Sequence, residues 1–388
     1  MSYPLISCII PYFNSELYIT DCLKSIADIA YQSMEIILVD DCSTDKSSEL
    51  VNQFINNHKK DNLEFIHIRN DSNKGISYSK NQGMDVMSGE FFFFTGSDDI
   101  VLPNRISEPL SYLQINQNVD IVYSDIEIWH ESKGKKTKRG FPAEMSNKNA
   151  FLFQLKRSYF WSGVLFARNK VKLNFDENLS SAVDYDWYFN QFFKGRNIHF
   201  IDPALVSYRM HSNNTSKNLT KSKGNVDRIL HKYDFQKAYH QFMQNGDVKK
   251  CEVNLSFAWY YLSLGELDQS LDLLSLDSSN SIERLFLKGL IYVAYQDYDH
   301  AAKYFESILQ KSNTMPECLN NFALCKVFNL NDIQGAKELL RKALQGNPNY
   351  LDAKMNLQIL ENALFDPSHL KFTDKPLRNT LTHIENYC

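Results

Sequence analysis

From the N-terminus to about residue 200, short apolar runs alternate with stretches in which apolar residues return every three or four positions. The runs at 5–10, 35–39, 63–68, 91–95 and 119–123 have the length and the β-branched or aromatic content of strands. Between them, Leu17, Cys22, Leu23, Ile26 and Ile29 mark one helical face, and Leu50, Val51, Phe54 and Ile55 mark another. Strands alternating with helices in this way predict an α/β domain with a mostly parallel sheet. Ligands of such sheets bind beyond the carboxyl ends of the strands. Three polar clusters follow strands directly and so share that rim: 11–14, 40–45 and 97–99.

After about residue 225 the strand pattern stops and an internal repeat begins. Aligning "AWYYLSLGELDQSLDLL", "GLIYVAYQDYDHAAKYF" and "ALCKVFNLNDIQGAKELL" puts Ala258, Gly289 and Ala323 in register, followed by Ser270, Ala301 and Ala336. Small residues at these places let paired helices approach closely. The period of about 34 residues, closed by Ala343 and Pro348, resembles tetratricopeptide repeats. The expectation is therefore an α/β domain over 1–224 and an all-α helical-repeat domain over 225–388, joined through 217–237. The segment "YLDAKMNLQILENAL" is expected to cap the repeats, with a poorly ordered chain end.

Composition narrows the partners. The chain has 388 residues, 43% of them hydrophobic, enough for two cores, and a formal net charge of -4 that argues against nucleic acid as a ligand. Its seven cysteines (Cys8, Cys22, Cys42, Cys251, Cys318, Cys325, Cys388) are odd in number and never spaced C-x-x-C, so neither a disulfide framework nor a zinc site is expected. No basic leader precedes the first strand, and no segment approaches the roughly 20 apolar residues of a membrane span. A cytoplasmic protein is expected, at most peripheral at the inner face of the membrane, and the sequons at Asn213, Asn214 and Asn218 are expected to stay unmodified.

The candidate chemistry lies in the first domain. Asp40 and Asp41 close an apolar strand, and Ser43, Thr44 and Asp45 are suited to cap the next helix. Alone, this acidic turn reads first as strand-to-helix punctuation. Its second reading is a rim carboxylate accepting from a nucleotide's base or ribose. The run "FFFFTGSDDI" is a strand buried on both faces that ends in Asp98 and Asp99. Like charges held this close repel unless neutralised, and Mg²⁺ or Mn²⁺ shared with a diphosphate is the natural neutraliser. Asp184 and Asp186 open a helix whose Trp187, Tyr188 and Phe192 point inward, and each is either a dipole-favoured first-turn carboxylate or a base. Trp161 fits a ring-stacking platform for a ligand and a core position equally well. The stretch 130–141, with five Lys and Arg, reads first as a solvated loop and second as a flap that meets an anionic ligand or lipid head groups.

Together, "ISCIIPYFN", "ILVDDCSTD", "NKGISYSKNQGMDVMSGEFFFFTGSDD", "VDYDW" and "YRMHSNNTS" resemble the family 2 glycosyltransferases of GT-A (Rossmann-like) fold, over about residues 1–221. The resemblance implies inverting transfer of a hexosyl or N-acetylhexosaminyl group from a nucleotide-diphosphate donor, of which UDP is the first expectation. The acceptor is a hydroxyl of a glycan, a lipid-linked saccharide or a protein, and Mn²⁺ or Mg²⁺ assists. It puts Pro11, Phe13, Asp40, Asp41, Lys74, Gly75, Asn81 and Asp98 on the nucleotide, with Lys80-Asn81 matching an Arg-Asn pair. It puts Asp99 and His211 on the metal, Asp184 as general base, and Trp161 and Asp186 on the acceptor side. Two departures stand out: Gly96 occupies the first position of the family's D-x-D-D, and Val183 replaces the glutamate of its Glu-Asp pair. A non-catalytic sugar-nucleotide-binding scaffold whose repeats hold a protein partner or a second copy is the alternative. A nucleotidyltransferase is disfavoured, because no glycine-rich basic N-terminal loop is present.

Overall fold

The computed structural model describes residues 3–58, 63–131, 134–171, 174–211, 219–277, 279–312, 314–362 and 364–374. The sequons at Asn213, Asn214 and Asn218 and the chain end after 374 lie outside the described residues. The chain forms two compact units, Met1–Gln236 and Lys237–Cys388, a division 12 residues beyond the expected 224/225 boundary.

In the first unit the chain runs β1 (Ile6–Tyr12), α1 (Ile19–Ala27), β2 (Met34–Asp40), α2 (Ser47–Asn57), β3 (Leu63–Arg69), α3 (Ile76–Val86), β4 (Phe91–Phe94), β5 (Ile100–Val101) and α4 (Ser107–Ile115). It continues through β6 (Ile121–His130), β7 (Lys135–Lys138), α5 (Ala150–Lys156), β8 (Leu165–Arg168), α6 (Val183–Phe193), β9 (Ile198–Met210) and α7 (Leu219–Lys232). One nine-stranded sheet has the order β3-β2-β1-β4-β8-β6-β9-β5, with β7 on β6.

The sheet is mixed rather than mostly parallel. β3, β2, β1 and β4 are parallel neighbours, whereas β8 runs antiparallel to both β4 and β6. Two reversals restore direction, and β9 pairs parallel with β6. The carboxyl ends of β1, β2, β4, β6 and β9 therefore lie on one edge, which is how residues from 12 to 211 come to share a rim.

β1, β2 and β4 are buried along their whole length, as continuous apolar runs in a parallel sheet should be. The four phenylalanines of β4 alternate faces: Phe91 and Phe93 join the core with Val51, Phe54 and Phe166, while Phe94 packs edge-on against Phe175 at 5.5 Å. Leu17 does not join the predicted helical face; it precedes α1 and is exposed. The basic stretch at 130–141 is not a plain loop, because β6 extends to His130 and Lys135–Lys138 pairs back on it as β7. A lysine-rich, exposed hairpin strand with no apolar residue gave hydrophobic patterning nothing to find.

The second unit is helical, with α8 (Phe235–Asn245) crossing its boundary. There follow α9 (Lys250–Leu264), α10 (Leu267–Ser275), α11 (Ile282–Ala294), α12 (Tyr298–Lys311), α13 (Pro316–Leu330), α14 (Ile333–Gly346) and α15 (Leu351–Glu361). The aligned small residues sit at helix crossings. A Cβ on Gly289 would stand 2.6 Å from the Phe305 ring, and Ser270 Oγ donates to the Ala258 carbonyl at 2.7 Å.

Candidate active site

The rim begins with three loops laced together by side-chain hydrogen bonds. Asn14 N donates to Ser43 Oγ at 3.0 Å, Asn14 Oδ1 accepts from Thr44 N at 2.8 Å, and the Ser15 and Ser97 hydroxyls meet at 2.7 Å. Of the five non-glycine residues with positive φ among the described residues, Asn14, Cys42 and Ala182 lie in these loops or directly before α6. Left-handed backbone at a cysteine and an alanine costs roughly 1–2 kcal/mol each and clusters where geometry matters more than relaxation.

Asp40 and Asp41 have different fates. Asp40 is fully buried; its Oδ1 accepts from Ser43 N at 2.8 Å, and its Oδ2 accepts from Arg69 at 2.9 Å and from Ser48. Both of its oxygens are engaged by the protein and the side chain is fully enclosed, unlike the rim contact with a nucleotide expected of it. Asp41 accepts from Asn70 Nδ2, Lys74 N and Gly75 N, all at 2.8 Å, and so shapes the turn that starts α3. Gly75 takes φ 90° there, which an L side chain would strain. The Lys74 side chain is half-exposed and pairs with Asp71 at 3.2 Å. Pro11 is buried within β1, whereas the Phe13 ring beyond it is 44% exposed and free to receive a flat ligand.

α3 turns an unusual face inward, with Ser77, Ser79, Lys80, Asn81, Gly83 and Met84 buried. A Cβ on Gly83 would stand 2.4 Å from the Ile9 side chain, so the helix lies hard against β1. Asn81 is engaged by the protein: its amide donates to the Phe175 carbonyl at 3.0 Å and to Glu177 at 2.7 Å, and it accepts from Phe175 N at 2.8 Å. Lys80 does reach the chemistry. Its Nζ sits 3.0 Å from Asp184 Oδ1 and 2.7 Å from Ser162 Oγ, and 4.5 Å over the Phe175 ring. Asp184 keeps part of its carboxylate exposed and has Oδ2 without a partner among the described residues.

Asp186, two residues on, faces the other way. It is buried, and it binds Lys232 Nζ at 3.0 and 2.9 Å and the Tyr233 hydroxyl at 2.8 Å, so it ties α6 to α7 and is withdrawn from any acceptor. Asp186→Ala is expected to lower the stability of this unit by about 2 kcal/mol, since a buried pair loses one partner while half-exposed Lys232 recovers water. Denaturant unfolding checks this, and unchanged stability would contradict the assignment. Trp161 is half-buried, its indole across Gly163 and edge-on to Tyr208 at 5.2 Å, next to the Ser162 that binds Lys80.

At the end of β4, Asp98 and Asp99 separate. Asp98 Oδ2 meets His211 Nε2 at 2.9 Å, and His211 stacks on Tyr18 at 4.4 Å. Asp99 is turned fully inward; its Oδ1 accepts from Arg209 N at 3.0 Å, and its buried Oδ2 has no partner among the described residues. Burial first, and repulsion from Asp98 second, push the Asp99 carboxyl well above the usual range. The expected pairing of Asp99 with His211 is thus made by Asp98 instead. Gly96 now has a physical reason: a Cβ there would lie 2.4 Å from Asp99 Oδ2 and 2.8 Å from Asp98 Oδ1.

Arg209 fixes this corner. Its side chain is buried, donates to the Asp98 carbonyl at 3.0 Å, pairs with Glu131 at 2.8 Å and Asp21 at 3.2 Å, and lies 4.4 Å over the Trp129 ring. In the sequence, Arg209 sits inside "YRMHSNNTS" with no role read for it, and Lys80 carries no expected contact to Asp184. The available signal was the polar inward face of α3, where an amphipathic helix should be apolar.

As donor atoms for a divalent cation, a carboxylate and an imidazole suit Mn²⁺ or Mg²⁺ completed by diphosphate oxygens. Among the described residues no cluster of three or more His, Cys, Asp or Glu forms a fuller ligand set. No helix of the described residues is long and apolar enough to cross a membrane.

Comparison with known proteins bears on the family and the fold. Residues 7–173 match the model of glycosyl transferase family 2. An uncharacterized glycosyltransferase of Haemophilus influenzae is 34% identical over 119 residues, covering 31% of this chain and 46% of that protein. The matched stretch thus spans about half of that relative. A second uncharacterized glycosyltransferase of the same organism is 26% identical over 313 residues, 76% of this chain and 87% of its own. A crystal structure of S. aureus TarS 1-349 in complex with UDP-GlcNAc shares the fold, with a TM-score of 0.50 and 17% identity over 88% of this chain and 92% of that one.

Proposed function

Residues 7–173 form a glycosyl transferase family 2 domain, and on that premise we propose that the chain is an inverting glycosyltransferase. It moves a sugar from a nucleotide-diphosphate donor to a hydroxyl of a glycan, lipid-linked or protein acceptor. The observation that carries this reading is the convergence on one sheet edge of two pairs: Asp98 with His211 at 2.9 Å, and partly exposed Asp184 with Lys80 at 3.0 Å. The TarS complex makes UDP-GlcNAc the first donor to try.

The roles follow from the contacts. The exposed Phe13 ring offers a face for the base, and Asp41 holds the 74–75 turn that lines the donor. Asp98 and His211 would hold Mn²⁺ or Mg²⁺, which stabilises the charge gained by a departing diphosphate. Asp184 takes the proton of the attacking hydroxyl on Oδ2, because Oδ1 is held by Lys80. Lys80 orients that carboxylate, and Trp161 walls the same side through Ser162.

The experiment is incubation with UDP- and GDP-sugars and Mn²⁺, reading released nucleoside diphosphate. Chelation with EDTA is expected to lower turnover by at least about 100-fold, the effect of losing about 3 kcal/mol of charge stabilisation. Adding Mn²⁺ back should restore the rate to wild type and not to His211→Ala. Turnover indifferent to chelation would remove the cation from the scheme. The inward-turned Asp99 favours one other reading, a sugar-nucleotide-binding scaffold, which predicts Mn²⁺-dependent binding with no turnover of any donor.

A further inference from the structure

Tyr18 stands just before α1, and its backbone is fixed: its N–H donates to the Ser15 carbonyl at 2.9 Å and its carbonyl accepts from Cys22 N at 3.1 Å. Ile19 and Cys22 beside it join the apolar core, but the Tyr18 side chain stays half-buried at the rim. There its ring stacks on the His211 imidazole, centroids 4.4 Å apart and planes 29° from parallel, and the Arg209 guanidinium lies 5.0 Å from its centroid. Arg209 is itself 4.4 Å from the Trp129 ring, with Glu131 and Asp21 at its ends. Four flat groups thus follow one another: indole, guanidinium, phenol and imidazole. The imidazole that ends the series has a side chain 8% exposed, with Nε2 2.9 Å from Asp98 Oδ2.

We propose that Tyr18 is a positioning residue for His211, holding the imidazole turned toward Asp98 so that both are set for a divalent cation. The inference rests on the reading of Asp98 and His211 as ligands of that cation, and it adds the group that orders one of them. His211, just past the end of β9, turns about two side-chain torsions, and a ring ordered beforehand gives up less freedom on ligation. Groups that orient a ligating histidine carry about 10–100-fold in metal affinity. A role in packing alone explains these contacts less well, because the ring meets a guanidinium and an imidazole at the rim and lies outside the apolar core. Arg209 has Trp129, Glu131 and Asp21 to hold it when Tyr18 is shortened, whereas His211 loses the ring it stacks on. Both contacts use the ring and neither uses the hydroxyl, so phenylalanine should serve and leucine should not.

The test titrates the full chain with Mn²⁺ in the presence of UDP or GDP and counts the free ion by electron paramagnetic resonance. Tyr18→Leu, folded by circular dichroism, should bind Mn²⁺ about 10–100-fold more weakly than wild type, and Tyr18→Phe should match wild type. Placed in a His211→Ala background, Tyr18→Leu should cost nothing further, because the group it orients is gone. A second measurement needs no variant of Tyr18. In the metal-free wild type, the His211 ring protons, assigned by their loss in His211→Ala, should resonate upfield of free histidine under the Tyr18 ring current. Tyr18→Leu with wild-type Mn²⁺ affinity, an equal loss in both backgrounds, or His211 protons at the positions of free histidine would each overturn the proposal and leave the reading of Asp98 and His211 in place. A wild type that takes up no Mn²⁺ with either nucleotide, or binds it no better than His211→Ala does, would instead remove the metal reading and this proposal with it.

Discussion

Asp184→Asn is expected to slow sugar transfer by about 10²–10⁴-fold, the range a positioned general base contributes, with donor affinity unchanged. The amide preserves the shape of the side chain and still accepts from Lys80, which holds Oδ1 at 3.0 Å, so α6 and its buried Trp187 and Tyr188 stay in place. Only the capacity to take a proton is removed. Asp186 cannot substitute, because Lys232 and Tyr233 occupy its carboxylate inside the fold. Steady-state kinetics against donor and acceptor check the outcome: a loss confined to kcat supports the assignment, and near-wild-type turnover moves the proton elsewhere. Lys80→Met should lower kcat less than Asp184→Asn, since a carboxylate released from its tether still accepts protons but spends less time aligned.

The second large effect is counterintuitive. Gly96→Asp, which restores the acidic residue that family resemblance leads one to expect, should inactivate the protein rather than improve it. The new Cβ would lie 2.4 Å from Asp99 Oδ2, on a fully buried side chain that Arg209 N anchors, so the Asp99 carboxylate cannot simply swing away. Overpacking of this kind costs about 1–3 kcal/mol, and a third carboxylate among two existing ones adds repulsion. Gly96→Ala isolates the steric part. Both variants should melt earlier than wild type and bind nucleotide sugar more weakly, Gly96→Asp by the larger margin. A Gly96→Asp protein with wild-type stability and stronger Mn²⁺ binding would show that the loop relaxes freely and that the glycine is an accident.

The sequence made the backbone frame readable where burial is uniform. β1, β2 and β4 are apolar throughout because both faces of a parallel strand are covered, and α2 shows its buried Val51 and Phe54 at helical spacing. It hid the strands that lie at edges or run antiparallel: β7 is lysine-rich, and β8 is four residues inside a stretch that reads as wall. The motif residues do acquire partners: Asp41 takes the Lys74 N–H, Asp98 meets His211, and Asp184 meets Lys80. What motifs could not give is side-chain direction. Asp40 and Asp41 are adjacent in sequence, yet one serves Arg69 and the other the 74–75 turn. Asp98 and Asp99 likewise diverge, because they sit in the tight turn after β4, where the Asp99 N–H donates to the Gly96 carbonyl at 3.3 Å and successive side chains swing apart. Asp184 and Asp186 diverge too, since two positions on a helix differ by more than a right angle.

The helical unit shows the same limit from another side. The aligned small residues predicted close helix crossings, and Gly289 beneath Phe305 is one. Nothing in repeat spacing marked Asn320, Asn321 and Asn356 as a cluster, because they meet only when α13 and α15 pack. Their shared partner, the backbone of Lys371 and Thr373, lies more than a dozen residues further along the chain.

The central claim is that Asp98 and His211, at the carboxyl edge of the sheet, hold a metal-bound nucleotide sugar. Calorimetric titration of the full chain with UDP-GlcNAc, UDP and GDP-mannose, with and without Mn²⁺, tests it directly. The account predicts saturable binding of at least one of these ligands that requires Mn²⁺ and is lost in a folded Asp98→Asn protein. Binding that is equally strong without the cation or with Asp98→Asn, or no binding of any of them by the folded wild type, would contradict it.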